Sequence, residues 1–276
     1  MVVLVTGCRS GFGLLVAVEA ARRGHTVYAG LRDLDTAGDL RAAAEGLDVR
    51  PVQLDVTVAA EREAVVAAIL AEHGRLDALV NNAGRALGGP LETLDEDELR
   101  DLIDVNVMAP WALCKAVLPA MRAQGEGVIV NISSVSGLMA MPGLGAYATS
   151  KYALEGMSEA LWHEVAPFGV RVVLVEPGPF KTDIWGRNRT LSRHALDPDS
   201  PYHAFVERLE RLVHTMAQDR AEDPEVVSRK VVDLLTTGGR RLRYVMGKAS
   251  WIRLGAKRVL PEALFGRILQ RLVAGE

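Results

Sequence analysis

Val2-Val3-Leu4-Val5-Thr6-Gly7-Cys8-Arg9-Ser10-Gly11-Phe12-Gly13-Leu14-Leu15 is the stretch that decides the fold. Its first five residues make a short strand that is apolar on both faces. Apolar residues at helical spacing (Leu14, Leu15, Val18, Ala21) follow the glycines at once. A strand, a glycine turn and a helix in that order bring the free N–H groups of a helix start to the strand's end, where a phosphate is received. Gly7 permits the tight turn, Gly11 lets a pyrophosphate approach the backbone, and Gly13 lets the helix pack against the strand. The spacing is Gly-x-x-x-Gly-x-Gly, which differs from the commoner Gly-x-Gly-x-x-Gly.

Working outward, further strand candidates follow at Thr26–Gly30, Val49–Leu54, Ala78–Val80, Val128–Ile132, Val170–Val175 and Arg243–Met246. Helical spacing lies between them, as in Ala64-Val65-Ala68-Ile69 and Leu154-Met157-Leu161. Doubly apolar strands alternating with amphipathic helices predict an α/β fold, a Rossmann-type doubly wound parallel sheet of about seven strands. Its ligand crevice belongs at the carboxyl ends of the strands. With no repeat and no low-complexity linker, residues 1–276 read as one domain. Trp185 to Pro201 breaks the alternation with Arg, Asn, Ser, Asp and Pro, and a long irregular segment there reads as a lid, extending over 185–215.

Composition excludes several classes. The net charge of −3 argues against nucleic acid as a partner. From Arg240 to Glu276, however, nine basic side chains face two acids, so this extension is +7 and the remainder −10. Its Leu264, Phe265, Ile268, Leu269 and Leu272 have helical spacing and predict a helix packed on the core with a solvated basic face. Docking on a membrane surface or another subunit is the alternative. Two cysteines, Cys8 and Cys114, make no disulfide framework, which with the absence of a signal-peptide layout predicts a cytoplasmic protein. No apolar run approaches the ~20 residues of a membrane span. The six histidines show no metal-ligand spacing, so no metal is expected.

Tyr147-Ala148-Thr149-Ser150-Lys151 opens a helical pattern, placing Tyr147 and Lys151 one turn apart on one face. A Tyr with a pKa of about 10 is a poor base at neutral pH, and a fixed ammonium beside it lowers that value. Ser134, thirteen residues earlier and just after a strand, offers a hydroxyl for a substrate oxygen.

Taken together, the motifs resemble the short-chain dehydrogenase/reductase family in its single-domain form. They are Thr6-Gly7-x-x-x-Gly11-x-Gly13, Asn81-Asn82-Ala83-Gly84, Asn106 in Asp104-Val105-Asn106-Val107, Ser133-Ser134, Tyr147-x-x-x-Lys151 and Pro177-Gly178-x-x-x-Thr182. The resemblance implies catalytic roles for four residues. Tyr147 is the acid or base, and Lys151 tunes it and binds the nicotinamide ribose. Ser134 orients the substrate oxygen, and Asn106 holds a relay water. It further implies that the cofactor is held by Gly7, Arg9, Ser10, Gly11, Phe12, Gly13, Arg32, Asp55, Val56, Asn81, Ala83, Gly84, Pro177, Gly178, Phe180 and Thr182. Asp55 would meet the adenine, Asn81 the adenosine side and Thr182 the nicotinamide end. Family members usually form homodimers or homotetramers. Thr149 stands where Ala is frequent.

Thr6–Gly13, Val27–Asp33, Leu154-Glu155-Gly156, Pro167–Val170 and Asp223–Val227 are most similar to the hydroxysteroid and retinol dehydrogenase branch. That branch implies a bulky apolar substrate, steroid-, retinoid- or lipid-like, between secondary alcohol and ketone. Candidate walls are Met139, Met141, Leu87 and Trp185. The second strand's end is read at Leu31, followed by Arg32 rather than a carboxylate; with Arg9 this predicts a preference for NADP(H), with NAD as the alternative, and Asp33 and Asp35 stand close by. Rival readings are a catalytically silent NAD(P)-sensing regulator, a reductase of small or biosynthetic ketones, and a nucleotide-sugar epimerase or dehydratase.

Overall fold

The strands read from the sequence form one parallel sheet in the computed structural model, which describes residues 1–219, 221–237 and 241–274; the side chains of 185, 216–219 and 272–274 lie outside that description. In chain order the strands are β1 Val2–Thr6, β2 Thr26–Leu31, β3 Val49–Gln53, β4 Ala78–Asn81, β5 Ala86–Gly88, β6 Gly127–Ile132, β7 Val170–Pro177, β8 Arg189–Leu191 and β9 Arg243–Met246. Seven make the main sheet in the order β3-β2-β1-β4-β6-β7-β9. Strand order reverses between β1 and β4, so the crevice opens where their carboxyl ends part.

Alternation along the strands feeds two cores. From β1, Val3 and Val5 point to one face and Val2 and Leu4 to the other. The first face packs under helices Gly11–Arg22 and Glu225–Thr237, with Val16, Ala20, Val227 and Val231 buried. The second packs under Ala59–His73 and Ala109–Gln124, with Ile69, Leu113, Val117 and Met121 buried. The helical run Glu96–Gln124 is long and apolar enough to cross a bilayer by length and composition, yet it spends Leu113, Val117 and Met121 on the sheet and opens with three acids.

The irregular reading of Trp185–Pro201 needs correction. Arg189–Leu191 is a strand, β8, paired parallel to β5 with Ala86 opposite Arg189 and Gly88 opposite Leu191. Three residues with one apolar side chain carry no periodicity, and the partner lies about a hundred positions away. Helix His203–Asp219 follows, and its Glu210 holds the Arg189 guanidinium in a two-pronged ion pair. Leu87 joins Leu102 and Ala146 in a small separate core, so it is not a cleft wall.

Candidate active site

A cleft of about 570 Å³ runs along the carboxyl edge of the sheet. Its floor is the glycine loop, whose geometry follows from missing side chains. Gly7 (φ 71°) and Gly11 (φ 58°) occupy the left-handed region. A Cβ on Gly13 would stand 2.3 Å from the Gly7 carbonyl, so the helix start sits directly on the turn. Thr6 stitches this loop to the next: its Oγ1 accepts from the Asn82 and Ala83 N–H groups at 3.0 and 2.9 Å, and Asn82 Nδ2 donates back to the Thr6 carbonyl.

Most of the predicted residues meet at this cleft. Gly7, Arg9, Ser10, Gly11, Phe12, Arg32, Asp55, Val56, Ala83, Gly84, Ser134, Tyr147, Lys151, Pro177, Gly178 and Thr182 line it. Gly13 lies just beneath. Asn81 and Phe180 do not reach the wall: Asn81 is buried and donates to Asn131 Oδ1 at 2.9 Å, while Phe180 packs edge-on against Phe12. Met139 is buried and Met141 half-buried, both off the wall. Trp185 closes a short turn, Asp183–Trp185, and its side chain lies outside the described residues.

Strand β2 ends at Leu31, and Arg32 follows it directly. Asp33 also lines the cleft, but its carboxylate accepts from the Asp35 N–H at 2.9 Å and caps the next turn. The wall continues with Asn82, Arg85, Asp101, Asp104, Val105, Asp183, Ile184 and Asn188, which sequence reasoning did not single out as site residues. Asp101 and Asp104 carry no signal of their own in the sequence, Asp104 standing only beside Asn106 in its motif. Only the tertiary approach of their helix brings them to the cleft.

Tyr147 and Lys151 turn inward from helix Gly145–Val165 and are both buried. Lys151 Nζ donates to the Ile132 carbonyl at 2.9 Å and lies over the Tyr147 ring, 5.7 Å from its centre. Burial pushes the Tyr147 phenol up to about 12, against a hydrogen bond with Ser134 that lowers it. Burial also pushes Lys151 down to about 8, with the Glu155 carboxylate one turn on holding it up. The Tyr-x-x-x-Lys spacing predicts a lowered Tyr147 pKa; burial acts in the opposite direction.

Asn106 sits in a π-helical stretch, Asp104–Met108, in which the Ala109 N–H reaches back five residues to the Asp104 carbonyl. Its Oδ1 accepts from the Arg85 N–H, and its Nδ2 donates to the Arg85 carbonyl and to Ser150 Oγ, at 2.9 to 3.0 Å. Both amide protons are thus spent on fastening the Arg85 segment to the Tyr147 helix. Behind Lys151, Arg243 pairs with Glu155 at 2.9 Å and stands 3.6 Å from Glu176. Burial, reinforced by the Glu155 charge, raises Glu176 to about 8 against the pull of Arg243.

Residues 1–192 match the short chain dehydrogenase family. Human 17-beta-hydroxysteroid dehydrogenase type 1 is 39% identical over 257 residues, spanning 88% of this chain and 76% of its own. A short-chain dehydrogenase from Streptomyces avermitilis superposes with a TM-score of 0.83 at 36% identity, covering 99% of this chain and 98% of its own. A short chain dehydrogenase/reductase from Burkholderia phymatum, solved in complex with NAD, gives 0.79 at 27% identity, covering 93% and 92%. The chain belongs to the short-chain dehydrogenase/reductase family, with hydroxysteroid and retinol dehydrogenases among its relatives, and it is an oxidoreductase.

Proposed function

We propose that this enzyme interconverts a secondary alcohol and a ketone with NADP(H), on a bulky apolar substrate. The observation that carries the reading is the buried Ser134–Tyr147–Lys151 group opening into the same cleft as the glycine loop. The residues fit a dinucleotide. The Gly7–Gly13 turn is a cradle that side chains would fill, and Thr182 Oγ1, beside Gly11, is buried with no hydrogen-bond partner among the described residues. The loop would hold the pyrophosphate, Arg9 and Arg32 a ribose phosphate, Asp55 and Val56 the adenine, and Thr182 with Pro177-Gly178 the nicotinamide end. When bound, the nicotinamide supplies or accepts a hydride.

The chain's own residues handle the oxygen and its proton. Ser134 Oγ hydrogen-bonds a substrate carbonyl and orients it toward Tyr147. A phenol raised to about 12 keeps its proton at neutral pH and is an acid toward a developing alkoxide. Lys151 stabilises the phenolate left behind, and Asn106 holds the Arg85 segment in place. Val105 and Ile184 give the cleft apolar surface and support the bulky substrate. Arg85, Asp101, Asp104 and Asp183 on the same wall favour a second reading, a reductase of small or biosynthetic ketones.

The test is NADPH consumption against steroid, retinoid, acyl and small aliphatic carbonyls. Tyr147→Phe should fold and bind cofactor while losing on the order of 10²-fold or more in turnover. Near-normal turnover in that variant would overturn the assignment. Turnover of small polar ketones alone would select the second reading.

A further inference from the structure

We propose that the C-terminal helical hairpin docks the enzyme on an anionic lipid surface. The hairpin is Lys248–Val259 and Glu262–Ala274, joined at Leu260-Pro261. At 100° per residue, Trp251, Gly255 and Val259 fall on one face of the first helix with Ile252 beside them. That face is turned to solvent: Trp251 is 62%, Ile252 74% and Val259 82% exposed. The second helix adds Leu264 and Ile268, one turn apart and nearly half exposed. Of the residues expected on a core-packed face, Phe265 and Leu269 are half-buried, Leu264 and Ile268 are exposed, and the side chain of Leu272 lies outside the described residues.

Cations border this apolar surface. Lys248 lies on the exposed face of the first helix and Arg258 beside Trp251, while Arg267 and Arg271 flank Leu264 and Ile268. None of these four forms an ion pair with a described residue. A tryptophan-bearing apolar stripe rimmed by unpaired Lys and Arg is the pattern of a helix lying in the headgroup region of anionic lipid. A symmetric contact with a second copy would set the same cationic patch against itself, which charge repulsion opposes.

The opposite face anchors the hairpin beside the cleft. Lys257 Nζ donates to the Leu138 carbonyl at 2.6 Å, in the loop that follows Ser134, and to Tyr152 Oη at 3.3 Å. Ser250 packs so closely on Gly178 that a Cβ there would lie 2.0 Å from its hydroxyl. A docked enzyme would hold these cleft loops near the lipid; that an apolar substrate arrives by this route rests on the reading above, whereas the docking does not.

The test is sedimentation of the full chain with phosphatidylcholine vesicles, with and without phosphatidylserine, across a salt series. The wild type should bind the mixed vesicles, ignore phosphatidylcholine alone and release as salt rises. Trp251→Glu with Ile252→Glu should weaken binding about tenfold or more, and Arg258→Glu with Arg267→Glu comparably, at unchanged melting temperature. No binding at low salt, or binding indifferent to both pairs of substitutions, would overturn the proposal. So would a dimeric wild type that becomes monomeric on Trp251→Glu with Ile252→Glu, because the face would then join two copies.

Discussion

On the glycine-loop side of the cleft, backbone meets backbone. Gly13 rests on the Gly7 carbonyl and Gly7 on the Ala83 Cα, and the Thr6 hydroxyl ties both loops together by accepting from the Asn82 and Ala83 main-chain N–H groups. On the side formed by residues 183–202, side chains meet side chains across roughly a hundred positions of chain. Arg193 pairs with Asp95 and Asp97, Ser192 with Thr93, and Tyr202 with Glu92. The first arrangement admits one residue type at each contact. The second admits many, since an exposed ion pair contributes little and is readily exchanged. The glycine-loop side is thus built for invariance of shape and the side formed by residues 183–202 for variation.

Four substitutions sharpen or break this contrast. The largest effect is expected for Gly13→Ala, whose methyl would have to displace the Gly7 carbonyl. Overpacking of this kind costs about 1–3 kcal/mol, and cofactor affinity by titration should fall by at least about tenfold. Normal affinity would show that the glycine loop yields as freely as the opposite side of the cleft. Next is Arg32→Ala, which should raise the KM for NADPH by about tenfold and leave that for NADH nearly unchanged. An equal effect on both cofactors would place the 2′-phosphate elsewhere.

On the opposite side, Glu210→Gln unties the nearly buried Arg189 guanidinium. We expect a local loss of about 1–2 kcal/mol, seen as faster amide exchange in Arg189–Leu191 with the glycine loop unchanged. Slow exchange in both regions would mean that β5–β8 pairing alone fixes this segment. The smallest effect is pH-dependent. Glu176, at about 8 when folded against 4.5 as a free side chain, stabilises the fold fully below about 4.5 and loses that contribution as pH rises through about 8. Glu176→Gln should therefore flatten the stability profile and gain on the order of 1 kcal/mol near pH 9. Parallel profiles for wild type and variant would show that Arg243 fully compensates the buried charge.

The contrast also explains what the sequence disclosed. Gly7, Gly11 and Gly13 were legible because each answers a backbone need that no other residue meets, and the main strands because their apolar faces repeat over four to eight residues. Tyr147, Lys151 and Ser134 were singled out by their place in the ordered set of motifs that resembles the family, and the structure brings the three to one cleft. Asn81 was placed at the cleft and is found behind it, since adjacent residues leaving a strand point to opposite sides and Asn82 takes the wall. Strand β8, the Arg189–Glu210 pair and the Asp101–Asp104 wall have no local signature. Each arises where distant segments meet.

The π-helical turn at Asp104–Met108 is where the chain stores a spare residue. It lodges one residue more than an α-turn, so Glu96–Ile103, which buries Leu102 against Leu87, and Ala109–Gln124, which buries Leu113 and Val117 against the sheet, keep the phase of one continuous helix. Deleting one residue there would let the turn close to α geometry with both buried faces in place. What such a deletion would disturb is the position of Asn106, and with it the fastening of the Arg85 segment to the Tyr147 helix.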